Sequence, residues 1–301
     1  MNPFRLDRFI TLKIFSPLYR MFNKADELRI PILMYHSISN EKIKNVHPYY
    51  ETNTTPKIFA DHMKFLFEND YSVISLLDAV KIFNRNNNCL KKNFYNKIGN
   101  KSTNRRINYA VITFDDGFRD FYTDAFPILQ EYGFSATVFL PTLYVDSDIR
   151  FKSKECLTWS QVIELSRKGI SFGSHTVNHL ELYRLGKMEI EYELKNSKEK
   201  IDSVLGKQIE SFSYPFAFPD QDNKFITFMK EMLQKCRYKN GVTTRIGTVS
   251  ENEDPLFLRR IPINSYDDQL FLKAKLEAAY DWIYKFQFFY KKIKRLNQLK
   301  A

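Results

Sequence analysis

Apolar and polar positions along this chain of 301 residues follow two alternating patterns. Short apolar runs rich in β-branched and aromatic residues are separated by longer segments with apolar residues at helical spacing. The predicted strands are 30–36, 109–114, 136–141, 170–174, 211–215, 238–244 and 258–263, and the predicted helices are 56–69, 75–84, 122–132, 158–168, 187–205, 225–235 and 267–294. Repeated strand–helix units of this length predict a parallel sheet or a (β/α) barrel.

Residues that carry chemistry stand where these apolar runs stop. Asp115 and Asp116 directly follow one predicted strand, and His175 follows another. His36 closes the first strand, and Tyr214 lies at the end of the strand over 211–215. Because both candidate folds place their chemistry at the carboxyl ends of the strands, we predict that these residues meet in one active site.

The Asp pair and two histidines predict a metal-assisted hydrolase. Neighbouring side chains at a strand end point to opposite faces, so one carboxylate can face a cation and the other a substrate. His175 and His179 are four residues apart, and either a helical turn or a loop could present both. Two imidazoles and one carboxylate form a zinc ligand set with an open position. The alternative for Asp115 and Asp116 is a simple turn or helix cap.

Three segments together resemble a known family. Thr113-Phe-Asp-Asp-Gly117, Ser174-His-Thr-Val-Asn-His179 and Ser213-Tyr-Pro-Phe216 are similar to the first three motifs of the polysaccharide deacetylase (NodB-homology) family, carbohydrate esterase family four. The resemblance runs from about residue 31 to residue 263. It implies a distorted (β/α)7 barrel that removes N- or O-acetyl groups from sugars with a divalent metal.

The resemblance also implies a role for each matching residue. Asp115 corresponds to the general base, and Asp116, His175 and His179 correspond to the ligands of a divalent ion. Zn²⁺ is expected, with Co²⁺, Ni²⁺ or Mn²⁺ as alternatives. The segment Tyr214, Pro215 and Phe216 corresponds to a substrate and oxyanion motif, in which the backbone N–H of the aromatic residue helps to hold the oxyanion.

The chain departs from the family pattern at two points. Ser213 stands where the family has an arginine that pairs with the base, and Arg260 is the candidate to supply that charge from the last strand. No C-terminal Leu-x-His motif is visible to provide the general acid. The chain resembles a branch acting on biofilm poly-N-acetylglucosamine, in which a Met-Tyr-His strand supplies this acid, so Met34-Tyr-His36 makes His36 the candidate. The alternative is a histidine satisfied in the barrel wall.

These residues predict an N-deacetylase of an amino sugar in a polysaccharide, oligosaccharide or lipid-linked precursor. Water activated by the metal would attack the acetyl carbonyl, Asp115 would take the proton and His36 would protonate the amine. The alternative is a metal- and carbohydrate-binding protein of glycan assembly that has lost turnover through Ser213. A glycosidase fits poorly, because its two acids flank a sugar rather than stand side by side.

The net charge of +11 is concentrated in two acid-free stretches. Seven bases lie in 84–108 and six in 284–301. Such stretches suit phosphate groups, so the basic tail is a candidate contact with an anionic membrane. A solvated loop and a solvated tail are the alternative, and no nucleic-acid motif accompanies the charge.

The N-terminal residues lack the pattern of a secretory signal, and the three cysteines lack metal or disulfide spacing. We therefore expect a cytoplasmic protein, peripheral at the inner face of the membrane if the tail binds there. The predicted organisation is an N-terminal helical extension over 1–28, a deacetylase domain over 29–266 with a basic loop insertion at 84–108, and a basic aromatic helix over 267–301.

Overall fold

The core of the molecule is a barrel of seven strands. The computed structural model describes residues 4–22, 28–41, 46–84 and 108–288. The strands of the barrel, in chain order, are β1 Ile32–Tyr35, β2 Asn108–Phe114, β3 Thr137–Leu140, β4 Ser171–Ser174, β5 Ser211–Ser213, β6 Asn240–Ile246 and β7 Leu258–Pro262. Each pairs in parallel with the next, and β7 pairs with β1 to close the ring. The expected distorted (β/α)7 barrel is confirmed.

The seams of the barrel differ in length. At the closing seam Met34 aligns with Pro262 on one side and with Thr113 on the other. In contrast, β4 and β5 share one aligned pair, Ser174 and Phe212. The alignment brings the ends of β1, β2 and β7 to one edge of the barrel, which carries the candidate site.

Strand β2 shows why the sequence reads as unbroken apolar runs. From Tyr109 to Phe114 every residue is buried. A parallel strand packed on both faces has no solvent side, so it lacks the alternation of a half-exposed strand. The run ends where the carboxylates begin.

Helices follow most of the strands and cover the barrel. Their bounds are Pro56–Glu68, Leu76–Asn84, Phe126–Glu131 after a π-helical turn over Phe121–Ala125, Trp159–Arg167, Lys187–Leu205, Asn223–Lys235 and Gln269–Leu276. Thr158 begins one of them with a reciprocal capping box to Gln161. Gly206 ends another in the left-handed conformation. These bounds lie within a few residues of the predictions, the last helix excepted.

The N-terminal segment forms one helix with a widened central turn. Leu6–Ile10 and Ser16–Phe22 are α-helical, and Thr11–Phe15 between them is π-helical. No helix in the described part of the chain is long and apolar enough to cross a bilayer.

The predicted continuous helix over 267–294 is interrupted. It ends at Leu276, turns over 277–282 with Ala278 in the left-handed region, and is helical again over 283–288. The turn lets Tyr280 donate a hydrogen bond to Asp7 Oδ2 at 2.8 Å and Asp281 accept from Thr248. Tertiary contacts therefore override local helical spacing here.

Several short strands have no clear sequence signal. Arg29–Ile30 pairs antiparallel with Val249–Ser250, Ser37–Ile38 pairs with Asn53–Thr54, and Tyr71–Val73 extends the sheet beside β2. The predicted basic loop lies outside the described residues except at its ends, and so does the tail after residue 288. The proposed division into domains stays a prediction.

Candidate active site

The polar residues predicted from strand ends lie together at the carboxyl end of the barrel. His36 follows β1, Asp115 follows β2, His175 follows β4 and Tyr214 follows β5. Asp115 and His175 are at most 3% exposed. The barrel thus gathers at one edge groups that are far apart in sequence.

Arg260 binds the carboxylate of Asp115. Its buried side chain donates from Nη1 to Oδ1 and from Nη2 to Oδ2, each at 2.7 Å. Ser213 Oγ donates to Oδ1 at 3.1 Å. Burial alone would raise the pKa of Asp115, but the Arg260 guanidinium holds it well below its usual range. The charge that Ser213 does not supply is therefore supplied from β7.

Asp116 faces the two histidines instead. Its Oδ1 lies 3.6 Å from Nε2 of His175 and 3.3 Å from Nε2 of His179. One ligand atom from each of these residues lies within 4.8 Å of the others. Oδ1 is buried without a hydrogen-bond partner, which is costly unless a ligand binds it. The donor set and this unpaired oxygen fit a divalent ion such as Zn²⁺.

The ring of His175 is fixed in the orientation a metal ligand needs. Its Nδ1 lies 2.8 Å from the Ser213 carbonyl oxygen, so Nδ1 carries the proton and donates it there. Nε2 then presents its lone pair toward Asp116. Burial lowers the pKa of His175 to about 4, although Asp115 opposes the shift. The imidazole is therefore neutral at pH 7.

The two histidines are presented by a loop and not by a helical turn. Thr176 and His179 have left-handed backbones, with φ of 70° and 53°. Such conformations cost roughly 1 kcal/mol or more each for residues other than glycine and persist only where other contacts enforce them. Asp116 and Phe216 share this feature, with φ of 71° and 58°. Backbone strain is thus concentrated at the candidate site.

Glu193 holds the histidine loop in place. This buried carboxylate accepts from the N–H groups of Val177 and Asn178 at 2.8 and 2.9 Å, and from Asn178 Nδ2 at 2.6 Å. Because it satisfies three donors at once, it fixes the backbone between His175 and His179.

A tight hairpin places a cation against Asp116. Phe151 and Lys154 exchange two backbone hydrogen bonds of 2.9 Å, and Lys152 and Ser153 between them have φ of 50° and 67°. Two positive φ values are the mark of a type I′ turn, which usually contains Asn-Gly. Lys152 Nζ lies 2.8 Å from Asp116 Oδ2. This contact occupies one carboxylate oxygen and leaves the other turned to the histidines.

Two aromatic rings flank His179. The ring centroids of Phe151 and Phe216 lie 4.8 and 4.9 Å from its imidazole. Phe216 is half exposed, and its N–H makes no hydrogen bond within the described residues. It therefore offers a donor and an apolar surface to a ligand.

Tyr214 and Pro215 do not offer a backbone N–H to a ligand. The N–H of Tyr214 donates to the Val242 carbonyl at 3.0 Å, and its ring is buried in the core. Pro215 has no N–H. Of the three residues predicted to contact substrate or oxyanion, Phe216 alone presents an unused backbone donor in the described structure.

His36 lies half-buried directly after β1, at the same end of the barrel as the two carboxylates. Burial lowers its pKa, while the charges of Asp116 and Asp115 oppose that shift. The ring is therefore neutral at pH 7. It makes no hydrogen bond within the described residues, which favours a role in the site over a histidine satisfied in the barrel wall.

Sequence reasoning missed three residues that shape this site. Lys152 and Phe151 come from the connection after β3, and Glu193 comes from the middle of the helix Lys187–Leu205. None of them stands at a strand end or within a motif. Only the folded connections bring them to Asp116 and to the histidine loop.

Comparison with known proteins agrees with this geometry. Residues 102–233 match the family model for polysaccharide deacetylase. YxkH of Bacillus subtilis (strain 168), named as a polysaccharide deacetylase, is 30% identical over 236 residues, which cover 78% of this chain and 72% of that protein. This chain belongs to the polysaccharide deacetylase family.

Two further proteins are similar to this polysaccharide deacetylase. A poly-β-1,6-N-acetyl-D-glucosamine N-deacetylase of Staphylococcus aureus (strain MSSA476) is 22% identical over 255 residues, covering 82% of this chain and 77% of that protein. The solved structure of the Streptococcus pyogenes deacetylase PplD in complex with acetate superposes with a TM-score of 0.68 at 25% identity. It covers 83% of this chain and 99% of that one. The family predicted from three motifs, and with it a hydrolase that deacetylates carbohydrate, is confirmed.

Proposed function

We propose that this polysaccharide deacetylase removes the N-acetyl group of an amino sugar in a polysaccharide, an oligosaccharide or a lipid-linked precursor. The observation that carries the proposal is the divergence of two adjacent carboxylates. Asp115 is bound by Arg260, while Asp116 turns an unpaired oxygen to His175 and His179. The name of the S. aureus relative, an N-deacetylase of poly-β-1,6-N-acetyl-D-glucosamine, supports this substrate class. A cytoplasmic location stays a prediction.

Asp116, His175 and His179 would hold the divalent ion, for which Zn²⁺ is the best-suited candidate. When bound, such an ion polarises the acetyl carbonyl and lowers the pKa of water. Lys152 occupies Asp116 Oδ2, so Asp116 would offer the ion its Oδ1 alone. The lowered pKa of His175 keeps this ligand in its neutral, binding form at pH 7.

Asp115 would take the proton from the attacking water. A carboxylate has about four lone-pair positions, two on each oxygen. Oδ1 accepts from Arg260 and Ser213, and Oδ2 accepts from Arg260. One position on Oδ2 is left for the water. Arg260 thus keeps the base ionised and also sets the direction from which it can receive a proton.

His36 would return a proton to the leaving amine. Its lowered pKa makes the resting imidazole neutral, so it must gain a proton during the reaction before it can donate one. The proton that Asp115 takes from the water would balance this step, because one proton is returned to the amine in each turnover. Phe216 would add its backbone N–H to the developing oxyanion.

A binding protein that has lost turnover is the weaker proposal. That proposal rests on Ser213, which stands where the family has an arginine. Arg260 supplies two hydrogen bonds to Asp115 from β7, which favours an intact base.

The test measures acetate, free amine and reducing ends released from a soluble N-acetylglucosamine oligosaccharide. We expect acetate and amine in equal amounts, no new reducing ends, loss of activity after chelation and recovery with Zn²⁺. Asp116→Asn should bind less metal and release no acetate, whereas Asp124→Asn on a neighbouring helix should behave as wild type. New reducing ends, or full activity of the chelated protein, would refute the proposal. Stoichiometric metal binding without acetate release across a panel of N-acetyl sugars would favour the binding protein.

A further inference from the structure

The outer face of the N-terminal helix exposes an unusual number of large apolar side chains. Seven of the eighteen exposed large apolar residues in the described chain fall within 4–22, with exposures from 42% to 72%: Phe4, Leu6, Phe9, Ile14, Leu18, Met21 and Phe22. We call these seven residues the outer apolar face. So many exposed apolar side chains within 19 residues of a folded protein indicate an interaction site.

The opposite face of the helix is already docked on the rest of the protein. Arg5 pairs with Asp267 at 3.2 Å, and Arg20 pairs with Glu277 at 3.0 Å. Phe15 stacks on Trp282, with ring centroids 4.9 Å apart. Because charged and aromatic groups on the inner side fix the helix, its outer apolar face cannot be buried by rolling the helix onto the barrel.

The charge around the outer apolar face is positive. Asp7 is the single acid within 4–22, and it turns inward to Arg5 and Tyr280. Arg8 and Arg20 are paired with Asp268 and Glu277, whereas Lys13 is exposed and makes no ion pair within the described residues. A partner for this face must therefore accept apolar side chains and tolerate, or prefer, cations beside them.

The sequence beyond the last described residue adds to this charge. Phe286 is 64% exposed and its ring packs against Trp282, which itself contacts the N-terminal helix. The chain that continues past residue 288 contains five bases and no acid: Lys291, Lys292, Lys294, Arg295 and Lys300.

The outer apolar face adjoins the catalytic end of the barrel. A groove of about 440 Å³ is lined by Phe4, Phe9 and Lys13 on one side and by Ser265 and Tyr266 on the other. The last two residues follow the carboxyl end of β7, and the active site lies at the carboxyl ends of the strands. A surface that covers the helix would thus lie near the end of the barrel that receives substrate.

We propose that the outer apolar face docks this enzyme on an anionic lipid bilayer. The apolar side chains enter the boundary between headgroups and acyl chains, and Lys13 meets the lipid phosphates. A second copy of the chain fits less well, because it would bring together two faces on which the unpaired charge, Lys13, is positive. The proposal is independent of the proposed deacetylation, and it assigns lipid contact to the N-terminal helix, without using the basic tail.

The experiment is co-sedimentation of the full chain with vesicles of phosphatidylcholine alone or mixed with phosphatidylglycerol. We expect binding to the anionic vesicles that weakens with added salt, and little binding to the neutral ones. The double variant Phe9→Glu/Leu18→Glu should lose at least roughly tenfold in affinity, because it removes two inserting side chains and adds two charges. Both positions are exposed, so the fold should be kept.

The matched control is Phe67→Glu/Met188→Glu, which makes the same kind of change at exposed positions on other helices. It should bind vesicles as wild type does. Equal binding by the Phe9→Glu/Leu18→Glu variant, or no binding by the wild-type chain, would overturn the proposal. Dimers that the same variant abolishes, seen by light scattering in the absence of vesicle binding, would identify a second copy as the partner instead. Acetate release from a soluble oligosaccharide, measured on all variants, reports separately on deacetylation.

Discussion

The catalytic end of the barrel and the outer face of the N-terminal helix depart from ordinary burial in opposite directions. At the barrel end, Asp115, Asp116 and Arg260 are charged yet at most 3% exposed. On the N-terminal helix, Met21 and Phe22 are apolar yet 68% and 72% exposed. Buried charge and exposed apolar surface are the two informative exceptions to the usual distribution of residues.

The difference between the two regions shows what each lacks. The buried charges are almost completely paired by other groups of the chain, and one oxygen, Asp116 Oδ1, is left over. The arginines of the N-terminal segment are paired with acids of the neighbouring elements, and its apolar groups are left exposed on the outside together with Lys13. What is unpaired in each region identifies the ligand we propose for it, a divalent cation at the barrel and a lipid surface at the helix.

The largest effect should come from Asp115→Asn at the barrel end. This change removes the proposed base and should lower acetate release by roughly 10²–10⁴-fold, the range typical of general acid–base catalysis. Divalent ion binding should persist, because the three proposed ligands are intact. Steady-state acetate release and metal content of the purified protein measure the two properties separately.

A substitution in the N-terminal helix is the control for Asp115→Asn. Phe9→Glu should leave acetate release from a soluble oligosaccharide unchanged, because that residue belongs to the other region. If Asp115→Asn kept wild-type turnover, or lost its metal together with its activity, the division of labour between Asp115 and Asp116 would be wrong.

The next largest effect should come from Arg260→Met. The variant leaves the Asp115 carboxylate buried without its cation, and breaking a buried ion pair typically costs about 3–5 kcal/mol in the free energy of unfolding. The pKa of Asp115 should also rise, so the acidic limb of the pH–rate profile should move to higher pH. Denaturant unfolding and the pH dependence of acetate release measure these effects.

The adjacent Arg259 provides the matched control. It points away from the site to Glu253 at 3.1 Å and is partly exposed, so Arg259→Met should cost less than about 1 kcal/mol. Arg260→Lys keeps the charge but not the bidentate geometry and should recover part of the loss. Equal destabilisation by the Arg259 and Arg260 variants would contradict the buried pairing as its cause.

Sequence predicts the barrel and the core of its site well for a physical reason. Asp115 and His175 each follow an apolar run, and parallel strands bring all such ends to the same edge. Arg260 is within reach of Asp115 because β7 lies beside β1, and β1 lies beside β2. The order of the strands in the barrel therefore determines which strand-end residues contact each other.

The remaining features depend on contacts that sequence spacing does not encode. Lys152 reaches Asp116 through a type I′ turn formed by Lys-Ser, a pair that gives no turn signal of its own. The helix over 267–294 is interrupted at Ala278 because Tyr280 and Asp281 have buried partners. The apolar residues of the N-terminal helix suggest a buried face, whereas seven of them point outward once ion pairs such as Arg5–Asp267 fix its inner side.

The smallest expected effect concerns how burial of His175 at the barrel end makes the stability of the protein depend on pH. The pKa of His175 is about 4 in the folded chain, whereas its ordinary value is about 6.5. Between pH 4 and pH 6.5, His175 of the unfolded, metal-free chain therefore binds a proton that the folded chain does not bind. This contribution to the free energy of unfolding is fully present above pH 6.5 and is lost as the pH falls to 4, by up to about 3 kcal/mol. His175→Gln should show a shallower acid decline in chelated protein, and exposed His47→Gln should not. Parallel declines in all three proteins would mean that burial of His175 does not set its titration.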